Sequence, residues 1–134
     1  MKANELMLGD WVMLEEIPYK IKCISEYNTV RLGDWIGIVG IEQLQPVEIT
    51  KELLLRSGFE LKSESPYSQY FAIDFDDVDI DYLVVELHPK ANYVRVNYQT
   101  EKRKVHLSCS LGGCHLHELQ HLLTLCKIDF EFVV

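Results

Sequence analysis

The sequence predicts an α+β fold, on three observations. Residues 1–48 hold short apolar runs broken by turn residues, Gly9-Asp10 and Gly33-Asp34 among them. Residues 59–109 hold longer runs that alternate at period two. Two other segments, 50–57 and 115–127, carry apolar residues at helical spacing between start and stop residues. The expected order is an N-terminal small β-barrel of Src-homology-3-like type, a helix, a four-stranded antiparallel sheet, a second helix and a closing strand.

In the first section, Gly9-Asp10 feeds an apolar strand over 7–14. Over 19–24, Lys20 and Lys22 face one way and Ile21 and Cys23 the other. Residues 29–32 are rich in strand formers, and 35–41 is apolar with Gly37 and Gly40, which favour bends. Strands this short and evenly spaced suit a small bent barrel. Pro46 closes the section, and a seam between subdomains 1–48 and 49–134 is expected near 45–50.

Thr50 is a good N-cap for the first helix, Leu53, Leu54 and Leu55 give it an apolar side, and Gly58 is placed to end it. Segments 70–75, 80–88, 93–98 and 104–108 read as a meander, with Pro89-Lys90-Ala91-Asn92 as one turn. The run Leu83-Val84-Val85 suggests burial on both faces. Over 115–127, Leu116, Leu119, Leu122, Leu123 and Cys126 fall on one helix face; His117, Gln120, His121 and Thr124 fall opposite. Residues 128–133 alternate as the closing strand. The core is expected around Trp11, Ile24, Leu53, Leu83, Val85, Val94, Val96, Leu119 and Leu123.

The 134 residues suffice for one domain or two small subdomains, and a hydrophobic content of 48% supplies a core. The net charge of −8 opposes polyanion binding and favours basic protein partners. No apolar run approaches the roughly 20 residues of a membrane span, and no secretory leader is legible. The expected setting is cytoplasmic, with Cys23, Cys109, Cys114 and Cys126 reduced. Cys23 and Cys126 sit among apolar residues and read as core thiols.

Three pieces carry a resemblance. They are Met1-Lys2-Ala3-Asn4-Glu5-Leu6 with Gly9-Asp10-Trp11-Val12, the stretch from Gln45 to Phe59, and Leu116-His117-Glu118-Leu119-Gln120-His121-Leu122-Leu123. In this order they resemble a group of small uncharacterised proteins of gut anaerobic bacteria, many carried on prophages or mobile elements. The resemblance implies a bacterial cytoplasmic setting and a mobile-element accessory role. It assigns no catalytic or binding residue. Relatives end the last helix on glycine, where this chain has Lys127.

Cys109-x4-Cys114-x2-His117-x3-His121 is the metal candidate, because zinc takes thiolate and imidazole in tetrahedral sets. Its cysteine spacing is looser than usual, and solvated histidines with two loop thiols are the plain alternative. The acidic stretch Asp74, Asp76, Asp77, Asp79 and Asp81 fails as a calcium loop. Counted from Asp77, Tyr82 and His88 stand where glycine and the last carboxylate belong.

Arg95, Lys102, Arg103 and Lys104, with His106, Tyr93 and Tyr98, form the one nucleic-acid-like patch, tyrosines for bases and cations for phosphates. Charge pairing with neighbouring acidic strands is the plain alternative. Trp11 and Trp35 each follow Gly-Asp, and read as core aromatics or as a peptide-binding groove. No nucleophile elbow or phosphate loop is present, and no cofactor is expected.

The favoured function is therefore a non-enzymatic binding or adaptor protein of a mobile element. A nucleic-acid-associated regulator acting through 93–106, and a metal-binding protein or enzyme acting through 109–121, are the alternatives. An exposed closing strand leaves room for a homo-oligomer.

Overall fold

The computed structural model describes residues 1–34, 37–75, 81–100, 105–111 and 113–134, with the side chains at 3, 74, 75, 81, 99, 100 and 105–110 outside the description. In chain order the elements are β1 (Trp11–Leu14), β2 (Ile17–Ile24), β3 (Thr29–Leu32), β4 (Val39–Gly40), β5 (Gln45–Pro46), α1 (Lys51–Arg56), β6 (Glu60–Glu64), β7 (Gln69–Phe75), β8 (Asp81–His88), β9 (Tyr93–Thr100), β10 (Val105–Leu111) and α2 (Leu116–Leu125). The fold is α+β. Contacts divide it into two units, Met1–Glu48 with His115–Phe130 and Val134, and Ile49–Cys114 with Glu131–Val133. The last helix thus groups with the first sheet. No helix among the described residues is long and apolar enough to cross a membrane.

The first unit is a curled antiparallel half-barrel of order β4-β3-β2-β1-β5. A 3-10 turn, Ile41–Gln43, leads into β5, so Pro46 lies in a strand opposite Val12 instead of closing the section. Its core gathers Leu6, Val12, Ile21, Val30, Leu32, Val39, Ile41 and Leu44. Trp11 and Ile24, expected there, are only half-buried. A register shift between Ile21 and Cys23 breaks the alternation of β2. An extra residue turns the following side chains over. Cys23 is therefore exposed, a correction to its reading as a core thiol.

The second unit is a five-stranded antiparallel meander, β10-β9-β8-β7-β6. One face is apolar: Phe71, Leu83, Val85, Leu87, Val94 and Val96 are all buried. Val84, on the other face, is half-buried, so the Leu83-Val84-Val85 run is not enclosed on both sides. The four expected strands are present, and β6 is a fifth. The expected closing strand is absent. Residues 128–134 join no strand ladder; Phe132 instead stacks on Phe59 at 6.4 Å, and the Val133 N–H donates to Ser57 Oγ at 3.0 Å.

Both helices end the same way with different residues. After α1, the Gly58 N–H donates to the Leu55 carbonyl and the Phe59 N–H to Leu54, with Gly58 at φ 101°. After α2, the Lys127 N–H donates to Thr124 and the Ile128 N–H to Leu123, with Lys127 at φ 58°. This paired closure needs a left-handed residue, which glycine adopts without a Cβ penalty. Lys127→Gly is expected to stabilise the protein by about 0.5–1 kcal/mol, after the added freedom of the unfolded chain is subtracted. Thermal denaturation checks it, and a lowered midpoint would contradict the closure.

Candidate metal centre

α2 begins where its flanking backbone is already held. The Leu116 N–H donates to the Val47 carbonyl at 2.8 Å, and Glu48 bridges His115. His115 occupies the N-cap with extended backbone, but its side chain makes no capping bond. The imidazole is left for other use. Glu118 lies in the first turn, where a carboxylate suits the positive end of the helix dipole.

The opposite helix face packs on β1. Gln120 Oε1 accepts from the Trp11 N–H at 3.0 Å, and its Nε2 donates to the Gly9 carbonyl at 3.2 Å. His121 Nε2 meets Asp10 Oδ2 at 2.7 Å, and the same oxygen accepts from the Met7 N–H at 2.7 Å. Asp10 is only 2% exposed.

These contacts cover the helix side that its periodicity assigns to solvent. His117 is 5% exposed, a correction to its reading as a solvated polar-face residue. Burial pushes its imidazole below the ordinary histidine value, against the pull of Asp10 and Glu118. The neutral form is the one that ligates metals.

His115, His117, Glu118 and His121 line an open cavity of about 500 Å³ together with Met1, Glu5 and Pro46. The His115 and His117 rings stack at 5.7 Å, and His121 meets His117 edge-on at 5.8 Å. One ligand atom from each of His115, His117 and Glu118 lies within 4.8 Å of the others. Around a tetrahedral ion with bonds of about 2.1 Å, ligand atoms stand roughly 3.4 Å apart. Small side-chain rotations close that difference. Two buried atoms of these residues, His117 Nδ1 and Glu118 Oε2, have no hydrogen-bond partner among the described residues. Buried polar atoms left unpaired cost free energy, which a bound cation removes.

Of the four residues expected to hold metal, His117 and His121 line this cavity. Cys114 is buried and groups with the second unit, and the Cys109 side chain lies outside the described residues. The expectation omitted His115 and Glu118. A signal for Glu118 was present, since His117-Glu118-Leu119-Gln120-His121 has the H-E-x-x-H spacing that sets two imidazoles one helical turn apart. The structure uses the spacing differently: His121 is held by Asp10, and His115 and Glu118 approach His117 instead.

Elsewhere, Arg95 is exposed on β9, in register with Glu86 on β8. Tyr93 stacks on His88 at 4.3 Å. Tyr98 is buried on the apolar face, because alternation along β9 turns it with Val94 and Val96; it offers no surface for stacking, which corrects its place in the expected patch. Lys102, Arg103 and Lys104, the side chains of His106, Asp74 and Asp81, and residues Asp76, Asp77 and Asp79 lie outside the described residues. So does Trp35. Trp11 carries Lys20 Nζ 5.4 Å from its ring centroid, and its buried Nε1 has no partner. No protein-family model matches the chain, and no curated protein or solved structure matches it.

Proposed function

We propose that the chain is a non-enzymatic binding protein whose ligand is a divalent transition-metal cation of the zinc class, held by His115, His117 and Glu118. Two observations carry this reading: His115, His117 and Glu118 each bring a ligand atom within 4.8 Å of the others in one cavity, and two of these residues hold a buried polar atom without a partner, His117 Nδ1 and Glu118 Oε2. Imidazole with carboxylate suits zinc, copper or nickel over calcium or magnesium, which take all-oxygen sets. The resemblance to mobile-element proteins of gut anaerobes adds an accessory role in the bacterial cytoplasm. The first sheet we read as a Src-homology-3-like barrel, supported by five short strands with one 3-10 turn before the last.

Calorimetric titration with zinc is expected to show one ion per chain. Zinc at about 100 times its dissociation constant should add about 2.7 kcal/mol of stability. His117→Ala should abolish binding, and His115→Ala should weaken it by more than about tenfold. Cys114→Ser and His121→Ala separate this set from the thiol-containing one: affinity should stay within about threefold in each. Absence of heat and of any thermal shift would overturn the reading.

A further inference from the structure

The polar face of the second sheet collects aromatic and cationic side chains at one end. Register places Tyr70, Glu86 and Arg95 in one row across β7, β8 and β9, with His88 and Tyr93 paired in the next row. Beyond them, the β6–β7 and β8–β9 loops meet, with Lys90 Nζ 5.1 Å from the Tyr67 ring centroid. Tyr67 is 70% exposed, Tyr70 37%, and Arg95 is exposed.

Among the described residues, Glu86, Glu60 and Glu64 are already engaged. Glu86, itself buried, accepts from the Tyr70 hydroxyl at 3.0 Å and meets His88 Nε2 at 2.5 Å. Glu60 is paired with Lys62 at 2.7 Å, and Glu64 with Lys51 at 2.8 Å. The net charge of −8 repels polyanions in general. Among the described residues, Lys90 and Arg95 are exposed cations at this end of the sheet. Glu86 also fixes the Tyr70 ring through its hydroxyl, so less freedom is lost when a flat ligand stacks there.

We propose that this face binds single-stranded nucleic acid, with bases stacked on Tyr67, Tyr70 and Tyr93 and phosphates met by Lys90 and Arg95. Successive rows on one sheet face are about 6.8 Å apart, which leaves room for one unstacked nucleotide per row. Duplexes hide their base faces and gain nothing from the tyrosines. Two phosphate contacts make the affinity modest, and they set its salt dependence. The slope of log K against log salt should be about −1.4 for two contacts on a single strand.

The site lies in the unit that does not hold the metal cavity, so either proposal can fail alone. Fluorescence anisotropy of a labelled oligothymidylate of about 12 nucleotides tests it, with the same sequence as a duplex for comparison. The single strand should bind, and the duplex more weakly. Tyr67→Ala and Tyr70→Ala should each weaken binding by about tenfold or more, and Arg95→Ala should flatten the salt slope by about 0.7. Tyr67 is exposed enough that its removal leaves the fold intact, and an unchanged thermal midpoint verifies this. The proposal is overturned by lack of binding at low salt, by equal binding of the duplex, or by tyrosine variants that bind as well as the parent.

Discussion

Phe71→Ala should lower stability by about 3–5 kcal/mol and the thermal midpoint by roughly 10–18 °C. Phe71 is fully buried in the middle of β7, and its cross-strand partners are Leu61 and Val85. A central strand with paired neighbours on both sides has little room to collapse into the space left behind. The cost therefore includes both lost transfer free energy and a cavity. Phe71→Leu keeps most of the volume and should cost less than about 1.5 kcal/mol. Tyr67→Ala, at an exposed loop position, should stay within about 0.5 kcal/mol. Chemical denaturation of the three variants gives the comparison. A Phe71→Ala cost near that of Tyr67→Ala would mean that the apolar face of this sheet does not carry the core.

Where local chemistry decides the structure, the sequence announces it. Thr50 caps α1, with Oγ1 accepting from the Leu53 N–H at 3.2 Å, and Gly58 ends it, as their residue types require. Val94 and Val96 point inward, as alternation demands. The β1–β2 hairpin was not legible. Glu15 and Glu16 both take positive φ, 49° and 67°, in a two-residue turn that ordinarily selects Asn-Gly. Strand pairing of Leu14 with Ile17 imposes that conformation on two glutamates. β6 was hidden for another reason. Its Glu60, Lys62 and Glu64 are the charged residues that protect a sheet edge, and they erase the apolar alternation that marks a strand. The alternation of 128–133 misled in the opposite direction, because one buried anchor, Phe132, explains it without a ladder.

The candidate site was half-legible for a related reason. Helical spacing alone put His117 and His121 on a solvated face. The partner that buries this side is Asp10, 111 residues away from His121 in sequence. Periodicity describes one helix and contains no information on what arrives from the far end of the chain. His115 was missed because a helix over 115–127 sets residues two apart on different faces, whereas His115 is the N-cap with extended backbone. Only coordinates show its ring parallel to that of His117.

Asp10→Ala should cost about 2–4 kcal/mol, the second large effect. The carboxylate is almost fully buried, and one oxygen takes both the Met7 N–H and His121 Nε2. Truncation leaves two donors of part-buried bonds, the Met7 N–H and His121 Nε2, without their acceptor, and a hydrogen bond to a charged group contributes about 1.5–3 kcal/mol. Asp10→Asn separates geometry from charge. With its amide oxygen at the Oδ2 position, asparagine still accepts from both the Met7 N–H and a His121 Nε2–H, and only the charge is lost. If hydrogen-bond shape is what matters, the asparagine variant loses only about 1 kcal/mol. If the carboxylate charge matters, asparagine costs nearly as much as alanine. A double-mutant cycle with His121→Ala isolates the pair, and its coupling should exceed about 0.5 kcal/mol. The same variants bear on the cavity, because Asp10 anchors the helix that positions His117. Asp10 reaches that helix through His121, so zinc affinity should change alike in Asp10→Ala and His121→Ala, by less than about threefold in each. A cost for Asp10→Ala within about 0.5 kcal/mol of zero would show that the first strand and the last helix are held by their apolar contacts and the Gln120 hydrogen bonds without it.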